Sequence, residues 1–345
     1  MILTRRNVLA ATAATVAQTA IPAAWPAFAQ GEKKGGQTWP QIEAAAKREG
    51  SFVFTSSLQS RVVDTVLKDF ETKYGISVGA IKGRPSEVRE RVRASHVAGK
   101  QTVDIVYGSE ALTTIRYKED KTVRDVPPIM QESLQRTSFK TKAPLVPVMT
   151  ITYGILVNSK LVKPEDEPKG WYDLLDPKWQ GQLLMDDPRT NGPGHIVFTG
   201  TFGPDYHRSL AAQKPTLTRE TQESYRRVAR GEYPVFVGFT LPDITSLTGL
   251  PLRAVLPREG APYVLYGTTF IPDVPHPNAA LLFARYNSSD EALLAYGKAG
   301  FGVGVPSVVA QLPDGVRQIA EIKLLGTTDP AGQDEAFKLA QEIYK

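Results

Sequence analysis

The chain has no cysteine and only four histidines among its 345 residues. Without cysteine, disulfide staples, thiolate metal sites and thiol redox chemistry are excluded, and an exported chain must be held by its core alone. His96, His195, His207 and His276 show neither i,i+4 zinc spacing nor an H-E-x-x-H pattern. His276, in Pro275-His276-Pro277-Asn278, reads as part of a helix-start turn. No G-x-S-x-G is present, because Gly108-Ser109-Glu110-Ala111 lacks the closing glycine of a nucleophile elbow. The Gly-rich stretch 301–306 (FGVGVP) lacks the third glycine and the strand-to-helix context of a dinucleotide site. No apolar run reaches the roughly 18 residues that a membrane span needs. Charge of one sign is scarce too, with 41 Lys and Arg against 36 Asp and Glu, interleaved along the chain. That pattern does not suit a nucleic-acid partner.

What is present starts with an N-terminus of different material. Residues 1–29 carry the pair Arg5-Arg6, a mild Ala/Thr-rich apolar run and then Ala27-Phe28-Ala29. This order predicts a signal peptide cut after Ala29, with Thr4-Arg5-Arg6-Asn7-Val8-Leu9 similar to a twin-arginine export motif. Its removal takes away two arginines and no acid, so the formal charge falls from +5 to +3. Residues 30–37 are a polar, Gly-rich linker. The remainder is long enough for two lobes, each with its own core.

The stretch 51–78 organises the rest. Phe52-Val53-Phe54 fits a buried parallel strand; Thr55, Ser56 and Ser57 follow; then Val62, Val63, Val66, Leu67 and Phe70 mark one helix face. The hydroxyls are expected to cap that helix and to offer polar groups at its start. A second helix is expected over 87–98 with Ser86 as its cap, and a strand over 103–107 ends in Gly108-Ser109-Glu110. Alternating β and α elements predict a mostly parallel sheet with helices on both faces, and ligand loops beyond the strand ends at 55–58 and 108–110. The unbroken β-rich run 146–157 (VPVMTITYGILV) is expected to cross from one lobe into another. Strands are read at 181–185, 233–239 and 252–256, with a return strand at 264–271. Helices are read at 220–230, 279–286, 291–298 and 334–344, and Ser289 is the expected cap of the third. The polar loop 186–194, opening on a helix near His195, would face the first loops across a cleft. Adjacent acids Asp186-Asp187 point apart on such a loop, and Arg189 is a natural ion partner.

Four stretches carry a resemblance: Ala45, Lys47, Glu49 and Gly50 leading into Phe54-Thr55-Ser56; Phe70 with Tyr74-Gly75-Ile76; Asp173-Leu174-Leu175-Asp176-Pro177-Lys178-Trp179 with Gly181; and Pro275-His276-Pro277-Asn278-Ala279-Ala280. Together they resemble the extracellular solute-binding proteins of ABC importers, in the branch that includes ferric-ion-binding proteins. The resemblance implies a type II periplasmic binding fold: two doubly wound α/β lobes joined by crossing strands, a ligand cleft between them, and delivery to a membrane permease. Lobe one is expected to comprise 38–149 plus 263–305, and lobe two 150–262 plus 306–345 with the C-terminal tail. The protein is expected to be periplasmic, monomeric and not an enzyme, without cofactor or resident metal.

Ligand identity departs from the ferric branch. Its adjacent tyrosine pair is replaced by Phe239-Thr240 and its histidine falls near Leu58, so only Glu110 matches. Tyr153, Tyr263 and Tyr266 keep ferric capture as an alternative, with a periplasmic hydrolase as a further one. The reading preferred is a small organic anion, a carboxylate or phosphonate. Hydroxyls of Thr55, Ser56, Ser57, Ser109, Thr240, Thr268 and Thr269 would bind it with Arg84 and Arg189. Glu110 and Asp187 complete the polar set, and Tyr153 and Phe239 form an apolar wall.

Overall fold

A computed structural model describes residues 36–327 and 329–345. The expected signal peptide and most of the linker lie outside the described residues. The first unit is strand, helix, strand: β1 (Ser51–Ser56), the helix Arg61–Tyr74 and β2 (Ser77–Lys82). Val63, Val66, Leu67 and Phe70 are buried on one side of that helix, each stabilising by about 1.5–3 kcal/mol relative to an exposed position. The helix starts later than the hydroxyl run suggests. Ser60 occupies its N-cap position, while Ser56 still belongs to β1. It stops where Gly75 turns left-handed at φ 68° and donates its N–H to Glu71.

β3 (Ile105–Ser109) pairs parallel to β1, opposite β2. Between β2 and β3 the helix Pro85–Val97 begins at Arg84 as N-cap, so Ser86 lies inside its first turn. Pro85 dictates this shift, because its fixed φ suits the first helical position. β4 (Val146–Asn158) is buried along all 13 residues. Four strands follow: β5 (Leu183–Asp186), β6 (Thr216–Thr218), β7 (Val235–Thr240) and β8 (Leu252–Val255). β9 (Tyr263–Phe270) then returns antiparallel to β3. The strands form one curled sheet in the order β2-β1-β3-β9-β4-β7-β5-β6, with β8 also on β4.

β4 is the crossing strand the sequence suggests. From Val146 to Thr152 it pairs with β9, and from Tyr153 onward with β7, joined by β8 from Ile155. β5 runs parallel to β6 and β7. The molecule is therefore two α/β lobes sharing one strand. Ser289 caps the helix Asp290–Lys298 as expected, accepting from the Ala292 N–H. The C-terminal elements divide their contacts. Helices Pro306–Val309 and Asp314–Glu321 pack on Asp290–Lys298, whereas Gln333–Ile343 packs on the helices Pro193–Thr199 and Gly203–Ala212.

Candidate functional site

A cavity of about 600 Å³ opens where the lobes meet at the β4–β9 crossing. One lobe contributes the start of the helix Pro85–Val97 and the helix Glu110–Ile115, so Arg84, Arg89, Ser109 and Glu110 line it with Leu112 and Ile115. The crossing strands contribute Tyr153, Val264, Leu265 and Tyr266. The other lobe contributes Asn191, Gly192, His195 and Ile196, and the tail adds Thr327 and Gln333. The walls are mainly apolar, with few polar groups at fixed places.

Those polar groups are held by short local interactions. The Ser109 hydroxyl accepts from the Leu112 N–H at 3.3 Å and caps the helix that presents Glu110. Glu110 accepts from the Thr141 hydroxyl at 2.5 Å. Arg89 is anchored by two bonds to Asp120, at 2.8 and 2.7 Å, and one to Glu119 at 2.9 Å. Arg84 pairs with Glu87 on its own helix, and its side chain is 82% exposed. Burial raises the Tyr153 and Tyr266 phenols above their ordinary range. Both are thus neutral hydroxyls at any physiological pH.

On the opposite side, the loop 187–194 is wrapped around Asp186. Its carboxylate accepts from the Gly194 N–H at 2.9 Å and from the Thr221 hydroxyl at 3.1 Å. Gly194 is required there, since a Cβ would run into the Asp186 carbonyl. Burial, the largest influence, pushes Asp186 above the usual carboxylate range. This fold of the loop places His195 at the cavity wall.

Four sequence candidates meet in the cavity: Arg84, Ser109, Glu110 and Tyr153. Ser57 is not among the lining residues but lies close enough to act on the Tyr266 hydroxyl. The others lie elsewhere. Thr55 and Ser56 are buried within the central strand β1, Thr55 donating to the Ile81 carbonyl at 3.0 Å and Ser56 accepting from the Leu58 N–H at 2.9 Å. Thr268 and Thr269 are buried on β9, bonded to Asn287 at 3.0 Å and to Thr113 at 3.1 Å. They sit two or three residues past Tyr266, about 7–10 Å deeper into the first lobe. Phe239 packs edge-on against Tyr225 at 5.1 Å inside the second lobe's core. Thr240 uses its backbone N–H on the Tyr225 hydroxyl, outside the cavity lining. Asp187 is buried between Arg189 and Arg219, and Arg189 also holds the Tyr344 carbonyl at 2.9 Å. That pair is structural in this geometry.

His195, Arg89 and Gln333 are lining residues that sequence reasoning did not select. For Arg89 no spacing signal existed, because five residues from Arg84 is not a same-face helical spacing. For Gln333 none did either, because the tail reaches the cleft only through the tertiary fold.

Comparisons with known proteins agree with this architecture. Residues 100–326 match the model of a family described as bacterial extracellular solute-binding protein. A Haemophilus influenzae protein is 25% identical over 273 residues, covering 72% of this chain and 76% of its own. Among solved structures, the Trichodesmium protein IdiA (FutA) with iron and citrate shares 15% identity with a TM-score of 0.69, covering 86% of this chain and all of that one. The periplasmic binding protein AfuA from Actinobacillus pleuropneumoniae, with fructose-6-phosphate bound, shares 22% with a TM-score of 0.63, covering 85% and 97%. At these identities the two structures bear on the fold alone.

Proposed function

The chain belongs to the bacterial extracellular solute-binding proteins, and from that premise we propose that it captures a small organic anion, a carboxylate or phosphonate, for an ABC permease. As a member of that family it is a periplasmic binder of solute and not an enzyme. The observation that carries the ligand class is the composition of the cleft. Two arginines, the exposed Arg84 and the anchored Arg89, and the neutral hydroxyls of Tyr153 and Tyr266 line a cavity together with Leu112, Ile115, Val264 and Leu265. Arginine N–H donors read the anionic end, Arg84 by turning away from Glu87 and Arg89 through the nitrogen that its bonds to Asp120 and Glu119 leave over. The apolar walls take up a carbon body. Fructose-6-phosphate in AfuA is also a small organic anion.

In this reading the lobes are 38–149 with 263–305 and 150–262 with 306–345, with 306–321 lying across the junction. The solute touches both and so favours the closed arrangement, since a ligand shifts a conformational equilibrium only by its differential affinity. The monomer suffices, and export through the twin-arginine-like peptide delivers it to the periplasm. Ferric capture is the second reading, favoured by Tyr153 and Tyr266 in the cleft with Tyr263 close enough to Glu110 to feel its charge. Burial raises all three phenols, which disfavours the phenolates a ferric ion requires.

The test is a thermal-shift and calorimetric screen of carboxylates, phosphonates, sugar phosphates, polyamines and ferric citrate. A carboxylate or phosphonate should raise the unfolding temperature. A visible charge-transfer band on adding ferric ion, with no response to organic anions, would overturn the proposal.

A further inference from the structure

Resting on that reading, we propose that the solute carries a hydroxyl or amino group beside its anionic end, and that Nε2 of His195 accepts a hydrogen bond from it. His195 lines the cavity with its side chain 1% exposed. Its Nδ1 lies 3.2 Å from the Pro188 carbonyl. A carbonyl can only accept, so Nδ1 holds the ring proton and Nε2 is left with a lone pair. That Nε2 is buried with no partner among the described residues. A buried polar atom left unpaired costs free energy, and in native structures such an atom calls for an explanation. A donor on the bound solute supplies it.

The surroundings keep the imidazole in that state. The Pro188 carbonyl belongs to the loop clamped by Asp186. The ring face is stacked on Phe337 of the tail helix, centroids 4.0 Å apart and planes 24° apart. Gln333, from the same helix, bonds Asn191 at 2.9 Å beside the ring. Burial, the largest influence, lowers the histidine's affinity for a proton, so it stays neutral and an acceptor. Such an acceptor repels an anionic oxygen, whose lone pairs would face its own. The anionic end is thereby directed to Arg84 and Arg89 on the other lobe, and the donor to His195. A solute with both groups bridges the lobes; one with only the anion does not.

The experiment is calorimetry on the full chain with matched acid pairs: malate and succinate, lactate and propionate, 2-hydroxyethylphosphonate and ethylphosphonate. In at least one pair the hydroxylated member should bind about 10-fold more tightly. His195→Ala should bring that pair within about 2-fold, and His195→Gln, whose amide oxygen accepts, should restore part of the gap. Equal binding within every pair, or an equal loss for both members in His195→Ala, overturns the inference while leaving the anion reading intact. Failure of every pair to bind overturns both. Nitrogen-15 NMR of histidine-labelled wild type needs no variant. The Nε2 signal should move upfield with the hydroxylated acid and not with the plain one; a signal unmoved by both overturns the inference.

Discussion

At His207 the imidazole is 1% exposed, with Nδ1 3.0 Å from the Tyr344 hydroxyl, and burial lowers its pKa to about 4. The unfolded chain takes up that proton near pH 6.5, well before the folded protein does. Stability from the neutral ring is therefore complete above pH 6.5 and is lost as pH falls towards 4. The difference amounts to about 3 kcal/mol. Urea unfolding of wild type should show this loss between pH 7 and 4, and His207→Gln should show a flatter profile over that window. A parallel profile would sink the argument. Asp187 acts lower on the scale: burial raises its carboxyl, but hydrogen bonds from Arg189 and Arg219 outweigh that and hold it below the usual range. Its contribution is lost only as pH falls through the carboxylate region. Such single-residue effects mark the limit of what local sequence shows. Arg84, Ser109, Glu110 and Tyr153 were legible because each stands at the end of a strand or start of a helix, or on the crossing strand. Thr55, Thr268 and Thr269 misled because a hydroxyl near a strand end looks the same whether it faces the cleft or lies two residues inside the sheet.

Elements were more legible than side chains. The run 146–157 betrays β4 because it is rich in β-branched residues and lacks the alternation of a half-exposed strand, as a strand buried on both faces does. The starts of helices shifted, to Ser60 and Arg84, because competing capping residues stood within a few positions of each other. Nothing in the run shows where β4 changes partner, since that depends on β7, β8 and β9. The change falls between Thr152 and Tyr153, just ahead of an irregularity between Gly154 and Ile155 in the β4–β7 pairing. A Cβ on Gly154 would lie 2.8 Å from the Val255 carbonyl oxygen and 2.7 Å from Leu241 Cδ2. The leucine can turn away, but the backbone carbonyl belongs to the β4–β8 pairing and cannot. Gly154→Ala should cost about 1–3 kcal/mol of unfolding free energy by urea titration. An unchanged midpoint would mean the strands are not packed this closely at the crossing.

At the scale of the whole molecule, the tail is what makes the cleft more than a gap between two lobes. Leu324 bridges Ala261 just ahead of β9, and residues 330–332 touch the helix Glu110–Ile115 of the first lobe. The helix Gln333–Ile343 then lies on the second lobe, with Phe337 on His195 and Tyr344 on His207. The chain end thus reaches from one jaw to the other along the cavity wall. A solute at about 100 times its dissociation constant should stabilise the native protein by about 2.7 kcal/mol. For a chain of this size that corresponds to a rise of about 4 °C in unfolding temperature. Ending the chain after Thr327 should lower the unfolding temperature without solute, because His195 and His207 lose their aromatic covers. It should also weaken solute binding by about 10-fold, because one wall and the contact across the cleft disappear together. Calorimetry and thermal unfolding on the same preparations separate the two effects. If the shortened chain melts earlier but binds as tightly as the full one, the tail serves only the second lobe's core and takes no part in holding the solute.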